Sequence, residues 1–135
     1  ARLYEAGVQA ERLAAAGESD PNDGVMLRYS DPFTGGPTLP TIDCRVQMLM
    51  PGQQLLPHRH TGNTIYHVVG GNGTTNVGQT LADGKELRWD EKDCFFVPSW
   101  TWHEHRNAGA EAAVLFSVTD QPVLEALGLF WEETG

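Results

Sequence analysis

An all-β sandwich or barrel is the fold class this sequence predicts. Three observations carry it. Apolar and polar residues alternate from Thr41 onward, short runs of this kind recur at close intervals, and Gly, Asn, Asp and Pro clusters separate them. Nothing resembling a strand–helix–strand alternation occurs, so a parallel sheet is not expected.

The elements follow in order. Leu3 to Ala16 is Ala-rich, with Gln9, Glu11 and Arg12 suited to a helix surface, and Gly17 is a plausible stop. Gly17 to Gly24 is loop chemistry throughout. Residues 1–27 are therefore expected to be a helical arm and linker, and residues 28–135 the β domain. Leu27 to Thr41 carries Pro32, Pro37 and Pro40, which predict an extended, irregular lead-in. Ile42, Cys44, Val46, Met48 and Met50 then alternate with Asp43, Arg45 and Gln47, a half-buried strand by pattern. Further strands are expected at Gln53–Leu56, His58–His60, Thr64–Val69, Thr74–Val77, Gln79–Leu81, Glu86–Trp89, Cys94–Val97, His103–Asn107 and Ala113–Thr119. Asp83-Gly84 suits a tight hairpin. After Pro122, Val123–Leu127 reads as a short helix stopped by Gly128, and Glu132-Glu133 as a solvated tail.

Composition bounds the function. The chain has 135 residues and a formal net charge of −9. That length suffices for one hydrophobic core. The acidic balance argues against nucleic acid, since phosphate binding needs clustered Lys and Arg. No apolar run approaches the roughly 18–20 residues of a membrane helix, and no signal-peptide pattern is visible. Cys44 and Cys94 are too few for a disulfide framework; they read as small buried hydrophobes in a cytoplasmic protein. The start at Ala1, without an initiator Met, suggests a processed chain or a piece of a longer one.

The histidines carry the chemistry. Four of the five form two pairs, His58/His60 and His103/His105. On a strand, residues i and i+2 share a face, so each pair can present two imidazoles to one side. In a small barrel the inward faces of different strands meet, and three or four imidazoles there suit a divalent first-row metal. His67 is expected to face outward, and Arg59 and Arg106 to point away from the metal.

Flanking residues extend the pattern. Gly52 lies six before His58, Pro98 five before His103, and Asn107 four after it. This resembles the two motifs of the cupin superfamily, G(X)5HXH(X)3-4E(X)6G and G(X)5PXG(X)2H(X)3N. The resemblance implies a double-stranded β-helix, or jelly roll, with metal ligands at His58, His60 and His103. The motif Glu falls on Thr64 or Ile65, and the two Gly of the second motif fall on Lys92 and Trp100. A missing Glu leaves open coordination positions, which favours a three-His dioxygenase type over a four-ligand type.

Four stretches are similar to the gentisate 1,2-dioxygenase family and its salicylate and hydroxynaphthoate relatives. They are Leu27–Thr41, Pro57–Val69, Val97–Asn107 and Val114–Leu129. Those enzymes carry two cupin domains, and this chain resembles the C-terminal one. The resemblance implies Fe(II), a small aromatic acid and dioxygen as reactants, and ring cleavage between the carboxylate-bearing and hydroxyl-bearing carbons. It also implies a homo-oligomer, joined in the full chain to an N-terminal cupin half, for which the helical arm is a candidate exchange element. His105 becomes a candidate for hydrogen bonding or proton transfer, and Tyr66, Trp100 and Trp102 for the substrate pocket, each with a packing role as the alternative. Tyr66 falls where the family has an Arg for the substrate carboxylate. The rival reading is a structural or oligomerising cupin half whose metal site is empty or adventitiously filled.

Overall fold

A computed structural model describes residues 20–135. The helix expected at Leu3–Ala16 lies outside them. Ten strands form two antiparallel five-stranded sheets. The first has the order β1 (Val25–Arg28), β2 (Asp43–Leu49), β9 (Ala113–Thr119), β4 (Thr64–Gly70), β7 (Cys94–Val97). The second has the order β10 (Glu132–Thr134), β3 (His58–His60), β8 (Trp102–Arg106), β5 (Gly73–Gly78), β6 (Lys85–Trp89). Among the described residues one short helix, α1 (Gln121–Ala126), follows β9 and has Pro122 in its first turn, where a missing N–H costs nothing.

The all-β expectation holds, with local differences. Val25–Arg28, expected at the end of the linker, pairs with β2 in register Val25↔Met48. Gln53–Leu56 is not a strand; only Gln54 bridges to Arg106. Gln79–Leu81 lies in the loop joining β5 and β6, so that hairpin is wider than Asp83-Gly84 suggested. Glu132-Glu133 is no free tail but part of β10, pairing Glu132 with His60 and Thr134 with His58. Cys94 is exposed rather than buried, and Cys44 is half-buried; both are free thiols.

Strand alternation divides the barrel interior into two ends. Going along β9, the inward positions are Ala113, Leu115, Ser117 and Thr119. Their partners on β2 are Leu49, Gln47, Arg45 and Asp43. On β4 the inward residues are Val68, Tyr66 and Thr64. All three strands pass from apolar to polar side chains in the same direction. The apolar end holds the core of Leu49, Leu55, Val68, Trp89, Val97, Ala113 and Leu115, with Tyr66 at its margin. Burying polar groups at the other end is costly unless they find partners. That end is where the histidines sit.

Both family Gly positions in the second motif keep a left-handed backbone here without Gly. Lys92 has φ 75° and Trp100 φ 56°. A side chain in this region costs roughly 1–2 kcal/mol, against the extra chain entropy that Gly loses on folding. Lys92→Gly is therefore expected to stabilise the domain by about 0.5–1 kcal/mol, read from urea midpoints.

Candidate metal centre

His58 lies directly opposite His103 in the pairing of β3 with β8. That register brings their ring centroids to 4.3 Å, with His60 at 5.7 Å from His58 and 5.0 Å from His103. One ring nitrogen of each lies within 4.8 Å of the others. Two of the rings are oriented by backbone carbonyls. His60 Nδ1 is 3.0 Å from the Gly62 oxygen and His103 Nδ1 is 2.9 Å from that of Thr101. An N–H donated to a carbonyl places the proton on Nδ1 and leaves the Nε2 lone pair for a ligand. His103 Nε2 is buried with no protein partner, and so is His58 Nδ1. Burial, reinforced by crowding from His58, lowers the pKa of His60 to about 4 and drives that of His103 well below its ordinary value. Neutral imidazoles with orphaned nitrogens are what a divalent first-row metal needs.

The surrounding residues refine this picture. Thr64 is the inward residue of the pair at the motif Glu position and lines the same small cavity, about 100 Å³, as His58, His60 and Tyr66; Ile65 faces out. A carboxylate does reach the site by another route. Asp23, in the turn before β1, places Oδ1 3.7 Å from His58 Nε2, and burial raises its pKa against the opposing effect of His58. Arg45 enters the cavity from β2. Sequence reading missed both residues, since neither belongs to a motif and the apolar phase of β2 points to the opposite face from Arg45. A larger hollow of about 460 Å³ runs outside β5, β6 and β8, but no histidine lines it.

His105 sits one inward step from His103, against Tyr66 with ring centroids 4.8 Å apart. Its Nδ1 is 2.8 Å from Thr75 Oγ1, which also accepts the Trp89 indole N–H at 2.9 Å. Its Nε2 has no protein partner, and burial, followed by repulsion from His58 and His60, lowers its pKa to about 3. Burial also raises the Tyr66 phenol, which stays protonated. Thr75→Val would strand the indole N–H and His105 Nδ1 together. The expected loss is about 2 kcal/mol in a denaturant titration.

Trp100 and Trp102 do not join the histidine cavity. Arg59 alternates with His58 and His60 and so faces the other side of β3. Its guanidinium lies 4.3 Å from the Trp100 ring centroid and 4.7 Å from that of Trp102, and it bonds Glu133 of β10. The two indoles thus help fasten the last strand. Arg106 is exposed, and His67 faces out, with Nδ1 3.3 Å from Cys94 Sγ.

Residues 45–119 match the model of the cupin domain family, which is over half of the chain. The chain belongs to the cupin family. Among the relatives of this cupin, the 5-aminosalicylate 1,2-dioxygenase of Comamonas sp is 45% identical, over 84% of this chain and 29% of the relative. The 1-hydroxy-2-naphthoate 1,2-dioxygenase of Nocardioides sp. (strain KP7) is 40% identical, over 84% of this chain and 28% of the relative. A crystal structure of salicylate 1,2-dioxygenase from Pseudoaminobacter salicylatoxidans, an adduct with gentisate, superposes with TM-score 0.82 and 26% identity, covering 96% of this chain and 34% of that one. The cupin thus spans less than a third of the length of these two relatives. Among the described residues no helix is long and apolar enough to cross a membrane.

Proposed function

We propose that this cupin is a ring-cleaving dioxygenase domain of the gentisate 1,2-dioxygenase kind, using Fe(II) on a hydroxylated aromatic carboxylate. The observation that carries the reading is the grouping of His58, His60 and His103, one ring nitrogen of each within 4.8 Å of the others, two of them with tautomers set by backbone carbonyls. These three residues would hold the metal. Bound Fe(II) supplies the redox centre through which an electron-rich ring and dioxygen react. Thr64 in place of the motif carboxylate keeps the site a three-imidazole one. The relatives' substrates by name (5-aminosalicylate, 1-hydroxy-2-naphthoate) and the gentisate of the solved structure all carry a hydroxyl ortho to a carboxylate.

The chain's own residues then have distinct tasks. Tyr66 walls the cavity toward the apolar core and excludes water there. A Thr75 hydroxyl that donates to His105 Nδ1 leaves the proton of the neutral ring on Nε2, directed into the interior as a hydrogen-bond donor. The two free thiols fit a reducing compartment such as the cytoplasm. Assembly into a homo-oligomer, and linkage to an N-terminal cupin half, complete the proposal by analogy with the family.

One observation favours a second reading, a cupin half that builds structure without catalysis. Tyr66 is fully packed, stacked on Phe95 at 4.9 Å, where the family resemblance calls for an Arg. The test is oxygen uptake after anaerobic Fe(II) loading, with gentisate, salicylate and 1-hydroxy-2-naphthoate. Consumption of dioxygen in equal amount to ring-opened product supports the dioxygenase. One bound iron with no uptake on any acid supports the structural half.

A further inference from the structure

We infer that Arg45 is the carboxylate anchor of this cavity, in a role the Tyr66 position cannot fill. The inference rests on the reading of the site as one for a hydroxylated aromatic acid. Among the residues lining the cavity, Arg45 is the one permanently charged cation. It occupies the same layer of the barrel as Tyr66. Arg45 on β2 lies opposite Ser117 on β9, and Ser117 lies opposite Tyr66 on β4. The cation therefore enters from two strands away, at the height where the phenol stands.

Its guanidinium is held but not used up. Nε donates to Asp43 Oδ2 at 3.0 Å and Nη2 to Gln121 Oε1 at 2.5 Å. Among the described residues, Nη1 meets only the thioether of Met26, at 4.0 Å. Asp43 does not cancel the charge, because Arg28 also bonds its Oδ2, at 2.7 Å. Two guanidiniums share one buried carboxylate, which leaves a net positive cluster at the cavity that Arg45 lines. Gln121 and Asp43 fix the fork in place, so little side-chain freedom is lost when an anion arrives. Asp23, beside His58, carries the opposite charge. The cavity is thus polarised: the acid's carboxylate belongs at Arg45 and its hydroxyl toward Asp23.

The test is anaerobic calorimetric titration of Fe(II)-loaded protein with gentisate, and with hydroquinone, which is gentisate without its carboxylate. R45M is expected to weaken gentisate roughly 10- to 100-fold, the usual size of a charge-assisted pair, and to leave hydroquinone within about twofold. R45K keeps the charge but loses the planar fork, and should fall between wild type and R45M on gentisate alone. If R45M fails to fold, as loss of iron and of both ligands would show, R45K decides. Gentisate affinity unchanged within about twofold in the folded variants overturns the anchor and leaves the dioxygenase reading standing. A wild-type protein that holds iron but binds no gentisate overturns both.

Discussion

Replacing His103 with Gln is expected to abolish tight metal binding while the domain stays folded. His103 is the most enclosed of the three rings, and its Nε2 has no other partner. It also sits at the register point where β8 meets β3, directly opposite His58. Losing it leaves two imidazoles, His58 and His60, both on one short strand. Affinity for Fe(II) or Co(II) should fall by more than about 100-fold, beyond the loss expected when only a residue behind a ligand is removed. Gln is close in size and neutral, so the metal-free variant should unfold near the wild-type midpoint. Equilibrium dialysis with metal analysis, alongside circular dichroism, reads both quantities. Stoichiometric metal in H103Q would mean that the ion sits elsewhere.

Acid should destabilise the metal-free protein over a defined window. His60 and His105 have folded-state pKa values of about 4 and about 3, against 6.5 in the unfolded chain, in both cases first because they are buried. Between those values and 6.5 the unfolded chain binds protons that the folded chain does not. Stability is therefore fully present above about pH 6.5 and falls progressively as pH drops toward 4. With two such groups, the loss over that interval is on the order of 3 kcal/mol or more. Urea midpoints at pH 7.5, 6.5, 5.5 and 4.5 in EDTA should decline steadily. A His105→Gln variant should decline less. Midpoints independent of pH would mean that these rings are more solvated than the packing around Tyr66 and Thr75 indicates.

Most of the sheet framework was legible because its inner face alternates. β4 and β9 each pair an inward apolar or hydroxyl residue with an outward neighbour, β2 alternates apolar with polar residues, and the spans of all three match the expected ones closely. The strands that escaped were edges. β1 reads Val-Met-Leu-Arg without a polar alternation, and β10 reads Glu-Glu-Thr with no apolar residue at all. Both take their identity from a partner strand, which local patterning does not encode. Gln79–Leu81 failed in the opposite way, since its residues suit a strand but the β5–β6 turn needs the length.

The site divides along the same line. The His-x-His spacing revealed the rings that share an inward face, because strand period and ligand geometry agree. The motif departures at Lys92 and Trp100 fall on two positions with a left-handed backbone, which gives a physical cause for Gly at such places. Asp23 and Arg45 were invisible because they reach the cavity through tertiary packing, one from a turn and one from a neighbouring strand. Of the two roles open to the tryptophans, wall or packing, aromatic character alone could not choose, because it says nothing about phase. Trp102 precedes an inward residue, so the pleat turns it outward onto Arg59.

The account depends most on one metal ion among His58, His60 and His103. X-ray absorption at the iron edge of anaerobically loaded protein reads that directly. The expected result is one iron per chain with three imidazole nitrogens at about 2.0–2.2 Å, completed by oxygen ligands. Iron below stoichiometry, or a coordination sphere without imidazole scattering, would contradict it.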